Sequence, residues 1–227
     1  SILVNQYNMS TFNMDEMKEC LQELEEPKQE EKVSDRRLPD IIEQLIPVLT
    51  SHIRKYHEMF TQPLIAELWE ETLHNAFVDC GHNTTWKPNR SHKVGEDMRV
   101  GNIENSRISC KSGQFIKPRG GVDSVKFNGS RTTSQKSLQD KIDHLSGDHD
   151  DWYFLLAKKK PFDKTYKLLI FESTKCKVNK LTWKENDSGK QFIGTGTFQA
   201  SINKSMSSQL WTTLPMSMVT YEHDITV

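Results

Sequence analysis

Cysteine is scarce and scattered in this chain of 227 residues: Cys20, Cys80, Cys110 and Cys176 are the four present, and no two form a C-x-x-C pair. That spacing indicates neither a zinc site nor a disulfide framework. A reducing cytoplasm is the compartment it fits. Long apolar runs are also lacking. Mean hydropathy is −0.68, and no stretch approaches the roughly 18 apolar residues that a membrane-spanning helix needs. Ser1 to Asn13 show no basic segment followed by an apolar core, so no secretory signal is expected there. There is no charge of one sign in excess, the formal net charge being −1. No G-x-x-x-x-G-K-[ST] and no G-x-S-x-G occurs, which removes support for phosphate-loop nucleotide hydrolysis and for an elbow-serine hydrolase. No internal repeat is visible.

The near-neutral total hides an uneven distribution. Met14 to Glu43 hold 11 acids against 5 bases, whereas Trp86 to Arg131 hold 10 bases against 4 acids. A basic middle can meet a polyanion on one face of a neutral protein; an ordinary solvated surface would read the same way. Composition predicts a helix over Met14–Glu26, then a charged linker from Pro27 to Arg37. Pro39 opens a helix to about His57, with Ile42, Leu45, Ile46 and Leu49 as its apolar stripe. A second helix is expected over Gln62–Cys80, burying Ile65, Leu68, Trp69, Leu73, Ala76 and Phe77 and stopping at Gly81. Short strands follow at Asp97–Val100, Arg107–Ser112 and Val122–Phe127, then a helix at Ser134–Leu145. Two buried-looking strands come next, at Trp152–Ala157 and Tyr166–Phe171. Further strands are expected around Thr182, Phe192–Phe198 and Met218–Glu222, with a helix at Ser201–Trp211. The fold class is α/β or α+β: a mixed sheet flanked by helices, with N-terminal helices and a β-rich C-terminal part. The organisation expected is an N-terminal helical region at 1–60 and a domain at 61–227, packed as one compact whole.

One segment carries chemistry. Along the second strand Ile108 and Cys110 point toward a core, and Ser109 and Lys111 point together the other way. In an antiparallel hairpin the start of the first strand lies near the end of the second. Asp97 is therefore expected beside Lys111. Phosphodiester hydrolysis needs such a group. Oxygen ligands hold a hard cation such as Mg²⁺, which activates water and stabilises charge at phosphorus. A lysine beside it orients the water and offsets developing charge. Asp97, the Cys110 carbonyl and Lys111 supply these parts.

Glu96-Asp97 followed by Ser109-Cys110-Lys111 resembles the active-site motif of the PD-(D/E)XK nuclease superfamily, to which most type II restriction endonucleases belong. Glu96 stands where the motif has proline, and Ser109 stands where it has its second acid. The order helix, hairpin, strand, helix, strand over about Gln62 to Phe171 is also similar. The resemblance implies a restriction-endonuclease-like core at 62–171 and Mg²⁺-dependent cleavage of double-stranded DNA. It also implies a homodimer, because cutting both strands takes two centres, and a bacterial cytoplasmic setting. Asp97, Lys111 and Ser109 become the catalytic candidates. A carboxylate from elsewhere must replace the missing acid; Glu71 is preferred, Glu70 is second, and Asp123 on the next strand is the downstream alternative. The metal set is then Asp97, Cys110, Glu71 and Asp123. Arg131, Ser130, Lys117, Arg119 and His92 are the candidate DNA contacts. A less specific repair or junction nuclease, or a non-catalytic DNA-binding module, are the alternatives. The acidic loop His144 to Asp151 reads as solvated, and Thr133 as a helix N-cap.

Overall fold

The computed structural model describes residues 34–65, 67–86, 96–117, 121–158, 165–205 and 208–227. The expected helix at Met14–Glu26, and His92 and Arg119, lie outside them. The described residues carry three α-helices and a mixed sheet of ten strands, an α/β architecture. They belong to one compact unit, in which the helix opened by Pro39 is included.

Strand β1 (Ser34–Arg37) runs directly into α1 (Leu38–Met59). The Asp40 carboxylate accepts the Arg37 N–H at 2.8 Å, and Pro39 sits in the first turn, where its missing donor costs nothing. Leu38, Ile41, Ile42, Leu45, Leu49 and Ile53 recur at helical spacing and are all buried. Helix α2 (Glu67–Asp79) buries Trp69, Leu73, Ala76 and Phe77, while Ile65 and Leu68, expected in that face, are exposed. Together α1 and α2 cover one face of the sheet.

The hairpin forms as expected. β2 (Met98–Arg99) pairs antiparallel with β4 (Arg107–Ile116), with the short β3 (Ile103–Glu104) in the connection. β3 pairs in parallel with β1, outside the large sheet. β5 (Ser124–Arg131) is antiparallel to β4, and α3 (Leu138–Leu145) crosses to β6 (Trp152–Lys158), which is parallel to β4. β7 (Thr165–Glu172) continues antiparallel beside β6. The sheet is completed by β8 (Thr182–Glu185), β9 (Gln191–Thr195), β10 (Gln199–Asn203), β11 (Gln209–Pro215) and β12 (Tyr221–Thr226), in the order β12-β7-β6-β4-β5-β11-β10-β9-β8, with β2 beside β4. The helix expected at Ser201–Trp211 is instead two strand segments. Ala200 and Ile202, and then Leu210, Thr212 and Leu214, are buried at every second position, which is strand periodicity. The N-cap of α3 is Ser137, whose hydroxyl accepts the Asp140 N–H at 3.0 Å, and not Thr133.

The acidic loop before β6 is not merely solvated. Arg107 at the head of β4 donates Nε to Asp151 Oδ2 at 3.0 Å and Nη2 to Asp151 Oδ1 at 2.8 Å, a two-pronged contact. It also holds Asp148 Oδ1 at 2.8 Å. Burial pushes the Asp151 carboxyl up, but the hydrogen bonds from Arg107 outweigh it and hold it below the usual carboxylate range. The clamp locks the start of β6 to the start of β4.

Candidate active site

Register determines where the site lies. β6 occupies one edge of β4 without a break, from Ile108↔Trp152 to Gln114↔Lys158. The other edge is shared. β2 takes it at Arg107 and Ile108, and β5 takes it from Gly113↔Phe127 to Ile116↔Ser124. Past Phe127, β5 leaves β4 but stays paired on its far edge with β11, which it follows from Ser124↔Pro215 through Asn128↔Trp211 to Arg131↔Gln209. The sheet therefore forks at Ser109–Ser112, where no described strand pairs with that edge of β4.

Asp97 closes the mouth of the fork. Its own N–H donates to the Ile108 carbonyl at 2.9 Å, the last rung of the β2 ladder. Its Oδ2 then accepts the Cys110 N–H at 2.6 Å, the Lys111 ammonium at 3.2 Å and the Ser109 hydroxyl at 3.3 Å. The side chains of Asp97 and Lys111 are 16% and 17% exposed, shielded but within reach of solvent. N–H and C=O of one strand residue point to the same edge, so the Cys110 carbonyl also faces the fork. Ser109 is fully buried.

The acids around this centre differ from expectation. The Cys110 thiol is pushed far above its usual range by burial and by the nearby carboxylates of Asp97 and Glu70. Glu70 is half-buried and accepts Trp86 Nε1 at 3.4 Å, and Trp86 stacks on His74 at 5.0 Å between ring centroids. Glu71 is exposed. At about 100° per residue, Glu71 falls nearly opposite the buried stripe Trp69-Leu73-Ala76-Phe77, and Glu70 lies at its border. Glu70 is thus the helix carboxylate that the fold brings toward β4. Asp123 is not brought there. It is exposed, pairs with Lys117 at 3.4 Å, and sits at the far end of the β4–β5 hairpin. With Ser124 opposite Ile116, it lies level with Lys117, about 20 Å along the strand from Lys111. Lys117 shares that remote end. In the loop before β6, buried Asp150 contacts Lys177 at 3.8 Å. Burial raises its carboxyl pKa, and Lys177 and Lys111 act against the rise.

A cleft of about 540 Å³ opens beside the fork. It is lined by Cys110 to Phe115 of β4, Lys126 to Gly129 of β5, Trp211 of β11, Lys158 of β6, and Ile65 and Trp69 from the α2 side. Lys111, Lys126 and Lys158 line it, and among the described residues no carboxylate does. Ser130 and Arg131 extend β5 beyond the cleft, half-buried and exposed respectively, on a strand rather than on a loop before a helix. Lys126, Lys158 and Trp211 are the residues that sequence reasoning did not assemble. The only local signal of the two lysines is a polar position in an alternating strand, and Trp211 gives none of its own.

The donor set suits a hard cation in kind: the Asp97 carboxylate, the Cys110 carbonyl and the Glu70 carboxylate are all oxygens. Among the described residues no three His, Cys, Asp or Glu side chains are grouped closely enough to hold a metal on their own. No helix among the described residues is long and apolar enough to cross a membrane. No protein-family model, curated protein or solved structure matches the chain.

Proposed function

We propose that the chain is a Mg²⁺-dependent DNA endonuclease of the PD-(D/E)XK kind, acting as a type II restriction enzyme. One observation carries this reading: the Asp97 carboxylate sits on an unpaired edge of β4, held by the Cys110 N–H and the Lys111 ammonium, beside a cleft lined by lysines. Asp97, the Cys110 carbonyl and Glu70 are the oxygens that would hold the cation. Bound there, it would lower the pKa of the attacking water and draw charge off the phosphoryl group. The chain's own part is to orient. Lys111 is fixed by Asp97 and directs an ammonium at the space where the water and the phosphate meet. Lys126 and Lys158 attract the neighbouring phosphates.

Incubation of phage DNA with the protein and Mg²⁺ tests the reading. Discrete bands are expected. A smear would move the assignment to the less specific repair or junction nuclease, and intact DNA to a non-catalytic DNA-binding module. In the same assay Glu70→Gln should slow cleavage on the order of a hundredfold or more, and Glu71→Gln should leave it nearly unchanged. The opposite pattern would return the missing ligand to Glu71.

Cleavage of both strands calls for two centres, hence a homodimer with two-fold symmetry. Helix α1 is a poor candidate for the interface, since its apolar stripe is already buried on its own sheet. Light scattering should give twice the chain mass, free or on DNA. A monomer in both states would remove the dimer from the proposal.

A further inference from the structure

We infer that the cleft beside the fork receives one unpaired nucleotide, its base stacked on Trp211 and its phosphates on Lys126 and Lys158. The substrate class is then DNA with a base out of the helix. The inference rests on the proposed nuclease reading for the identity of the strand; the chemistry of the cleft stands apart from it.

Each strand beneath the cleft changes character at the same level. On the face covered by α1 and α2, β4 runs from buried Ile108 and Cys110 to Ser112 and Gln114, and β6 runs from buried Trp152, Phe154 and Leu156 to Lys158. The helical cover ends there, and exposed Ile65 and Leu68 mark its rim. Register then sets polar groups side by side. Gln114 is the direct partner of both Lys126 and Lys158, and Asn128 is the partner of Trp211. Neighbours across strands on one face stand about 5 Å apart, so these side chains form one continuous surface over four strands.

Trp211 is the anomaly on that surface. A tryptophan on the open face of a sheet, 37% exposed, leaves a large apolar plane wet in the midst of lysine, glutamine and asparagine. The Lys126 ammonium lies 5.2 Å from its ring centroid, a cation–π contact that an incoming base would displace as the ammonium moves to the phosphate. Alone this pair is surface decoration. One further feature points to a ligand. The volume of about 540 Å³ falls in the range of small-ligand pockets, which suits a single nucleotide and not stacked base pairs. Aromatic stacking with flanking cations is the chemistry by which proteins hold an unpaired base, and glutamine or asparagine can bond its exposed edge. Burial keeps the Lys158 ammonium below its usual range; a phosphate beside it would raise it again.

The test uses the full chain without divalent metal, so that binding is read apart from cleavage. The probes are two duplexes, each containing 2-aminopurine, one with it paired and one with it as a single-nucleotide bulge. The bulged duplex should bind more tightly, by roughly 5- to 150-fold, the value of one stacked base, with quenching of its emission. Trp211→Ala should erase the gap and Trp211→Phe should keep part of it. Lys126→Ala should weaken both probes and flatten their salt dependence. Equal affinity for the two probes would overturn the inference and leave the DNA reading standing, as would a gap that survives Trp211→Ala. Binding of neither probe would overturn both. A gap that persists in a protein without cleavage activity would sustain this inference and sink the nuclease.

Discussion

Asp97→Asn should abolish cleavage while leaving DNA affinity within about tenfold, or roughly 1.4 kcal/mol. The asymmetry follows from what the carboxylate does. It touches neither the cleft's lysines beyond Lys111 nor the Trp211 surface, so the contacts that would hold DNA survive its loss. The charge itself is what chemistry at the fork requires. An amide keeps an oxygen to accept the Cys110 N–H, now at 2.6 Å from Oδ2, so the mouth of the fork keeps its shape. It removes the anion that a divalent cation needs and the partner that fixes the Lys111 ammonium. Single-turnover cleavage with saturating protein measures the first effect, and gel shift without metal the second. Wild-type rates in the variant would end the assignment of Asp97 as a metal ligand. Loss of binding together with loss of a cooperative thermal transition would show that Asp97 only closes the fork.

The hairpin at the centre of this prediction was legible because two independent local patterns agree on it. Ile108 and Cys110 alternate with Ser109 and Lys111, and a turn-rich segment separates them from Asp97, so antiparallel pairing brings the acid to the lysine. β6 and β7 were legible because central strands are continuous apolar runs. Elsewhere the local signal was ambiguous. Ile202, Met206 and Leu210 fall four apart and fit a helical stripe as well as Ala200–Ile202 and Leu210–Leu214 fit two strands; only pairing with β9 and β5 decides. Glu71 was preferred because Leu68 was counted in the buried face of α2. Leu68 is 47% exposed, and without it the stripe rotates toward Glu70. The clamp of Arg107 on Asp148 and Asp151 spans about forty residues of sequence, and a long-range ion pair leaves no local trace. The cleft is invisible for the same reason. Lys126, Lys158 and Trp211 are unremarkable one at a time, and cross-strand register makes them one surface.

Phe154→Ala should lower stability by about 3–5 kcal/mol. Phe154 is fully buried on β6, the strand between β4 and β7. It lies opposite Cys110 on one side and Ile170 on the other. Its ring packs on Phe77 of α2 with centroids 6.1 Å apart, and its carbonyl accepts Trp69 Nε1 at 3.3 Å. Truncation leaves a void that neither a paired strand nor an anchored helix can collapse to fill, so both the transfer and the cavity terms apply in full. Against a total stability of about 5–15 kcal/mol, urea titration should show a lower midpoint with an unchanged slope. Val122→Ala, at a side chain 65% exposed, should change stability by less than about 0.5 kcal/mol. A loss below about 1 kcal/mol at Phe154 would mean that α2 does not pack on this part of the sheet. The same void lies beneath Cys110, whose N–H and carbonyl edge the fork. The fraction of Phe154→Ala that stays folded should therefore also cleave more slowly, because a shift of β4 by even about 1 Å misplaces Asp97 and Lys111 relative to each other. Phe154→Leu, which fills most of the void, should recover the larger part of both losses.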